Sequence, residues 1–248
     1  MGWIVFNLGM RSAVRLFFAR LLICVAGILL STAPARAELV QDGGAWLAFF
    51  GQGSFKELSP DTARLRWWFD GQARFSGEAD GLSQTIVRPG VGWSITPRVS
   101  VWLGYGWIRD YPPSAPTLDE NRIWQQLLWA PRFGELRFQS RTRLEQRFRE
   151  GGDDVGWRLR EFVKVVYPIL SSERLFLAAY EEVFLNLNDT DWGPQAGFDQ
   201  NRVFLGLQAS ITESVQIELG YLNRYVYRPG RDGLMDHLAS VNVFFNPG

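Results

Sequence analysis

Residues 135–148 read Glu-Leu-Arg-Phe-Gln-Ser-Arg-Thr-Arg-Leu-Glu-Gln-Arg-Phe. Glu135, Arg137, Gln139, Arg141, Arg143, Glu145 and Arg147 occupy the odd positions; Leu136, Phe138, Ser140, Thr142, Leu144, Gln146 and Phe148 occupy the even ones. Successive side chains of a β-strand point to opposite faces, so this stretch is one strand with an ionic face and a mainly apolar face. A helix would distribute both sets around its circumference. Strands of soluble proteins average about 5–6 residues. A longer strand, apolar on one side and charged on the other, suits the wall of a transmembrane β-barrel, with lipid outside and a wet lumen within.

The same period recurs along the chain. In residues 62–76, Ala63, Leu65, Trp67, Phe69, Ala73 and Phe75 alternate with Arg64, Arg66, Trp68, Asp70, Gln72 and Arg74. Further alternating runs are expected at 83–95, 99–109, 121–130, 157–167, 175–187, 202–211, 215–227 and 234–245, with a shorter first strand at 43–55. Pro89 lies inside one run, and a bulge or weak pairing is expected there. Glu181 falls on an apolar face, so a slip of phase is expected there. Connections near 96, 132, 170 and 213 are short; those near 79, 115, 152, 193 and 231 are longer. This alternation matches periplasmic turns and extracellular loops. Eleven candidates conflict with the even strand number usual in bacterial barrels, so 10–12 strands are expected. The fold class is therefore all-β, an antiparallel transmembrane β-barrel.

Residues 1–37 read as a cleaved signal peptide. Arg11, Arg15 and Arg20 precede the apolar stretch 21–30, and Ala35-Arg36-Ala37 has the small-x-small form of a cleavage site. The barrel is then residues 38–248, and either Met1 or Met10 begins the chain. Cys24, the single cysteine, lies within that apolar stretch, so the exported portion has no disulfide framework. Of 26 basic residues, Arg11, Arg15, Arg20 and Arg36 lie in the leader, leaving 22 against 26 acidic residues. That balance does not suggest a nucleic-acid partner. Lys56 and Lys164 are the only lysines; the other cations are arginines, which keep their charge when confined and pair carboxylates bidentately.

The inward-facing set Arg64, Arg66, Asp70, Arg74, Glu135, Arg137, Arg141, Arg143, Glu145, Arg147, Arg158, Arg160 and Glu218 is expected to form the lumen charge network. It either fills and rigidifies a narrow lumen or lines a pore that favours small anionic solutes. Trp67, Trp93, Tyr105, Trp107, Trp129, Tyr221 and Tyr225 face outward as membrane-interface aromatics. For Trp192, in a loop, a carbohydrate platform is the alternative. His237 is the only histidine and faces outward, whereas Ser240 projects inward; this pairing gives no nucleophile–base couple. No phosphate loop, haem motif or metal-ligand spacing is present, so no catalytic, cofactor or metal residues are expected. The expected surroundings are outer-membrane lipid, lipopolysaccharide and, during insertion, barrel-assembly machinery. The alternatives are an outer-membrane enzyme acting on lipid or lipopolysaccharide, and a loop-mediated binding protein.

The segments Asn201-Arg202-Val203-Phe204-Leu205-Gly206-Leu207 and Glu218-Leu219-Gly220-Tyr221-Leu222-Asn223, with Gly44-Ala45-Trp46 and the charged strand from Arg66 to Phe75, resemble a bacterial outer-membrane family labelled "domain of unknown function 2490". The resemblance spans the exported chain. It implies an outer-membrane barrel of a Gram-negative bacterium and carries no activity or catalytic residue.

Overall fold

A computed structural model describes residues 39–56, 58–77, 81–169 and 173–247. The expected leader, its cleavage site and Cys24 lie outside these residues.

The chain forms one 12-stranded sheet that closes on itself. The strands are β1 (Leu39–Ser54), β2 (Leu65–Ser76), β3 (Gly81–Thr96), β4 (Val99–Asp110), β5 (Leu118–Trp129), β6 (Arg132–Phe133), β7 (Leu136–Arg149), β8 (Gly156–Pro168), β9 (Leu175–Asn186), β10 (Gly197–Ser210), β11 (Val215–Val226) and β12 (Gly233–Phe245). The two-residue β6 folds back on the start of β7, and β5 pairs directly with β7. Eleven strands therefore make the wall. The first is not a short strand but one of 16 residues.

Neighbours in sequence pair antiparallel, but the closure does not. β1 runs parallel to β12, in register from Leu39↔Gly233 to Gly51↔Phe245. An odd number of up-and-down strands requires one such parallel seam, because the first and last strands then run in the same direction. The odd count thus needs no missing strand. Parallel ladders have slanted bonds and are slightly weaker per residue than the antiparallel ladders of the rest of the wall.

The two-residue period governs burial. In β7, Arg141, Arg143, Glu145 and Arg147 are buried in the lumen while Thr142, Leu144 and Gln146 are partly exposed on the outer face. The outer face is apolar and open, with Leu103, Leu205, Leu219 and Val91 among the exposed side chains. As expected around Pro89, which has no N–H to donate, the β3–β4 ladder passes from Val87↔Trp107 to Gly90↔Gly104 without pairs for Arg88 and Pro89.

The lumen also holds apolar matter. Trp46, Phe176, Phe204, Leu222 and Leu238 form one buried cluster, and Trp68, Trp102, Trp124 and Leu128 form another. Inward glycines make room for the indoles. A Cβ on Gly104 would sit 2.1 Å from Trp124 and 2.5 Å from the Pro89 carbonyl oxygen. The Trp124 Nε1 donates to the Tyr105 carbonyl at 3.1 Å, which satisfies its one polar atom.

Gly104→Val should therefore overpack the lumen and lower barrel stability by about 1–3 kcal/mol. Unfolding in detergent, followed by tryptophan fluorescence, should show an earlier midpoint; an unchanged midpoint would mean that Trp124 is not held as described.

Candidate functional site

The lumen is the candidate site. Each wall strand contributes one side chain to it every second residue, so charges from neighbouring strands meet inside the barrel. Ten buried cations face it: Arg74, Arg88, Arg122, Arg141, Arg143, Arg147, Arg158, Arg160, Lys164 and Arg202. Six buried carboxylates oppose them: Asp70, Glu120, Glu145, Glu182, Glu218 and Asp236.

The carboxylates act as nodes. Glu145, fully buried, accepts from Arg158 at 2.7 Å and from Arg160 at 2.6 Å, with Arg122 at 3.6 Å. Glu182 accepts from Arg141 at 2.6 Å and Arg160 at 2.7 Å, with Arg202 at 3.5 Å. Arg160 thus bridges two nodes. Glu120 accepts from Arg122 at 2.5 Å and from both Nε and Nη2 of Arg147. Asp70 pairs Arg88 at 2.7 Å, Glu218 pairs Lys164 at 2.5 Å, and Asp236 pairs Arg224. A charge removed from water is tolerable only with such partners.

Two arginines have neutral partners instead. Arg143 donates to Gln126 at 2.6 and 2.9 Å and lies 4.3 Å over the Trp124 ring. Arg74 donates to Gln84 at 2.7 Å and to Gln72, and lies 3.8 Å over Trp46. Arg202 and Arg224 approach the same indole at 4.8 and 5.5 Å. Three guanidinium groups thus surround one ring. The negative face of an indole attracts each of them, but it does not cancel their mutual repulsion.

The cavity space follows the charge. A vestibule of about 690 Å³ is lined by arginines of the wall, including Arg122, Arg147 and Arg158, and by loop residues 192–196 and 227–231. A second cavity of about 120 Å³ lies toward the mouth with the shorter connections, bounded by Phe50, Lys164, Tyr180 and Phe244. Arg74, Arg88, Arg160 and Arg202 line both. They form the partition between the two spaces.

Two loops meet at the rim of the vestibule. The Asp191 carboxylate accepts the backbone N–H groups of Asp153 and Asp154 at 3.0 and 3.1 Å, and the Asp154 carboxylate accepts the Asp191 N–H at 2.9 Å. These N–H groups, that of Asp153 foremost, hold the Asp191 carboxyl below its ordinary range. Trp192 donates to the Asp154 carbonyl at 2.9 Å and lies 4.9 Å from the Arg147 guanidinium. A Cβ on Gly152 would sit 2.3 Å from it. Trp192 is thus tied into the rim rather than displayed as a flat platform.

Of the thirteen residues expected in the network, Asp70, Arg74, Arg141, Arg143, Glu145, Arg147, Arg158, Arg160 and Glu218 are buried there. Arg64 is exposed in a turn before β2, and Glu135 is exposed before β7; neither belongs to the wall. Arg66 and Arg137 are partly exposed near strand ends, and Arg137 lies 4.1 Å over Phe176. Nodes outside that list are Glu120 and Glu182. Glu120 was expected in a loop that in fact ends before Leu118. Its signal was the even-numbered run Glu120, Arg122, Trp124, Gln126. Glu182 was hidden by its neighbour: the phase of β9 does not slip, Glu181 points outward, and Glu182 points in.

Trp93, Tyr105, Trp129 and Tyr221 are exposed on the outer face, and Trp67, Trp107 and Tyr225 lie partly covered on it. His237 is on that face, its Nδ1 2.6 Å from the Tyr221 hydroxyl. Ser240 is buried on the lumen side. Among the described residues, no group of three or more His, Cys, Asp or Glu is arranged to hold a metal ion.

Two contrasts follow. Glu145→Gln takes the close carboxylate from Arg158 and one of two from Arg160 and should cost about 3–5 kcal/mol, whereas Arg109→Ala, at an ion pair 38% and 29% exposed on its two sides, should cost about 0–1 kcal/mol. Urea unfolding of both variants should show this separation; equal losses would contradict the network. The Asp191 clasp, whose carboxyl has a lowered pKa, should contribute fully at neutral pH and be lost as pH falls through the folded-state value. Nuclear magnetic resonance of the Asp153 and Asp154 amides should report that loss below the ordinary carboxylate range, and amide signals unchanged down to full protonation would contradict it.

The chain is similar to several known proteins. An uncharacterized protein of Methylorubrum extorquens (strain AM1) is 34% identical over 227 residues, covering 91% of this chain and 96% of that one. LpxR from Salmonella typhimurium aligns with 69% of this chain and 80% of its own at 9% identity and a TM-score of 0.38. The siderophore receptor PirA from Pseudomonas aeruginosa aligns with 66% of this chain and 31% of its own at 13% identity and a TM-score of 0.29. The model of a family described as protein of unknown function DUF2490 matches residues 43–235, and the chain belongs to that family.

Proposed function

We propose that this protein is a passive, non-enzymatic barrel of the Gram-negative outer membrane that draws small anions into its cationic vestibule. One observation carries the reading: ten buried cations oppose six buried carboxylates, and the excess surrounds a cavity of about 690 Å³ open toward the long loops. A lining in which arginines outnumber carboxylates, here Asp110, Glu120 and Asp199, focuses field and raises the local concentration of the opposite ion. Guanidinium groups suit oxyanions such as phosphate or carboxylate, which they can hold bidentately.

The partition of Arg74, Arg88, Arg160 and Arg202 separates the vestibule from the smaller cavity. The aromatic clusters occupy much of the remaining lumen. This supports a vestibule that receives ions over a wide pore that conducts them. Passage would require the arginine layer to shift. The exposed apolar outer face supports insertion in a lipid bilayer, where outer-membrane lipid and lipopolysaccharide are its surroundings, and insertion there needs barrel-assembly machinery.

Calorimetric titration of the purified barrel in detergent with inorganic phosphate should show saturable binding that weakens as salt is raised. Arg228→Ala combined with Arg231→Ala, both in the loop that lines the vestibule, should weaken it about three- to tenfold. In planar bilayers the protein should give small, anion-biased steps. Absence of phosphate binding, or a large cation-selective conductance, would overturn the reading.

A further inference from the structure

The vestibule is not evenly charged. The carboxylates that line it are already paired along the wall: Asp110 with Arg149, Glu120 with Arg122 and Arg147, and Asp199 with Arg158. Among the described residues, the lining cations without a carboxylate partner lie at its two ends. At the base, Arg74 donates to the neutral Gln72 and Gln84 and shares the Trp46 ring with Arg202 and Arg224. Arg202 reaches Glu182 only at 3.5 Å, and its Nε has no hydrogen-bond partner among the described residues. At the rim, Arg228 donates to the Asp232 carbonyl at 2.8 Å, and Arg231 is exposed in the same loop. Between the ends the lining adds the amides of Asn186 and Gln200. The Oδ1 of Asn186, buried, accepts no hydrogen bond among the described residues.

A guanidinium group binds an oxyanion best where no carboxylate competes for it. Two such places in one cavity call for two oxyanion groups on one molecule. Arg224 and Arg228 are four residues apart on one chain, which sets their backbones at most about 14 Å apart. A volume of about 690 Å³ is that of a small-molecule site. The amides between the ends suit hydroxyl groups, which both donate and accept. The wall separates the vestibule from the bilayer, so such a molecule arrives from water.

We propose that the vestibule takes a compact solute with two oxyanion groups joined by a hydroxylated middle, of the sugar bisphosphate class. One anionic group is held at Arg74 and Arg202, the other at Arg228 and Arg231. The inference rests on the oxyanion reading given above and adds that the ligand is bivalent. Once one group is held, the second binds at an effective concentration set by the short link between them, so affinity exceeds that of either group alone. Pyrophosphate, whose two groups are fused side by side, cannot span both ends.

Titration calorimetry of the whole barrel in detergent, with fructose 1,6-bisphosphate, glucose 6-phosphate and pyrophosphate as probes, tests this. The bisphosphate should bind with one molecule per barrel, at least about tenfold tighter than either of the other two. Arg74→Gln should bring the bisphosphate down to the affinity of glucose 6-phosphate, and so should Arg228→Ala with Arg231→Ala, both judged on barrels that keep their heat-dependent gel mobility. If Arg74→Gln does not fold, the ranking of the three probes on the unaltered protein decides. A bisphosphate bound no tighter than the other probes, or one indifferent to Arg74→Gln, would overturn the proposal, and with inorganic phosphate still bound the oxyanion reading stands. Absence of binding by phosphate and by all three probes would overturn both.

Discussion

The structure depends on pairing charge across an enclosed space. Glu145, Glu182 and Glu120 each hold two or more arginines from different strands, and Arg160 joins the first two nodes. Most of these contacts tie neighbouring strands along one arc of the wall, β5 to β7, β7 to β8 and β8 to β9; Arg141–Glu182 reaches from β7 to β9, and Lys164–Glu218 from β8 to β11. In a barrel the backbone ladder resists shear only between neighbours. The bridges that skip a strand, Arg141–Glu182 and Lys164–Glu218, add a constraint that the ladder cannot supply. Removing one partner would strand the others in a poorly solvated interior, which is why such networks fail as units.

The network is nevertheless unbalanced, and that imbalance separates structural filling from a possible role. If the charges served stability alone, cations and carboxylates would be expected to match. Instead Arg74 and Arg143 rest on glutamines and tryptophans. The surplus is focused on the vestibule. The opposite half of the lumen is narrowed by aromatic side chains around a smaller cavity and the Lys164–Glu218 pair, so the wide cationic mouth gives way to a more closely packed base. The parallel seam between β1 and β12 closes this cylinder without the twelfth wall strand that an antiparallel closure would need.

Much of this was legible in the chain because the period of a strand is two. The run 135–148 alone sets Arg141, Arg143, Glu145 and Arg147 on one face, and the structure buries all four. What the period cannot give is where a strand ends. Arg64 and Glu135 continue the alternation past the points where the wall turns, so they read as lumen residues and lie outside it. Glu120 was lost for the opposite reason, since prolines before it made a loop look longer than it is. Glu181-Glu182 is ambiguous in any phase, because two adjacent acids must send one to each face. The network's partners are also invisible in sequence, because which side chains of neighbouring strands meet depends on register.

The central claim is that apolar side chains of the wall meet lipid while guanidinium and carboxylate groups meet one another inside. Paramagnetic relaxation in nanodiscs tests it most directly, using one spin label in the acyl chains and one soluble in water. The account predicts strong lipid-borne broadening at Leu103, Leu205 and Leu219, with Arg143, Glu145 and Arg160 protected from it. Broadening of both sets alike, or of the charged set first, would contradict it.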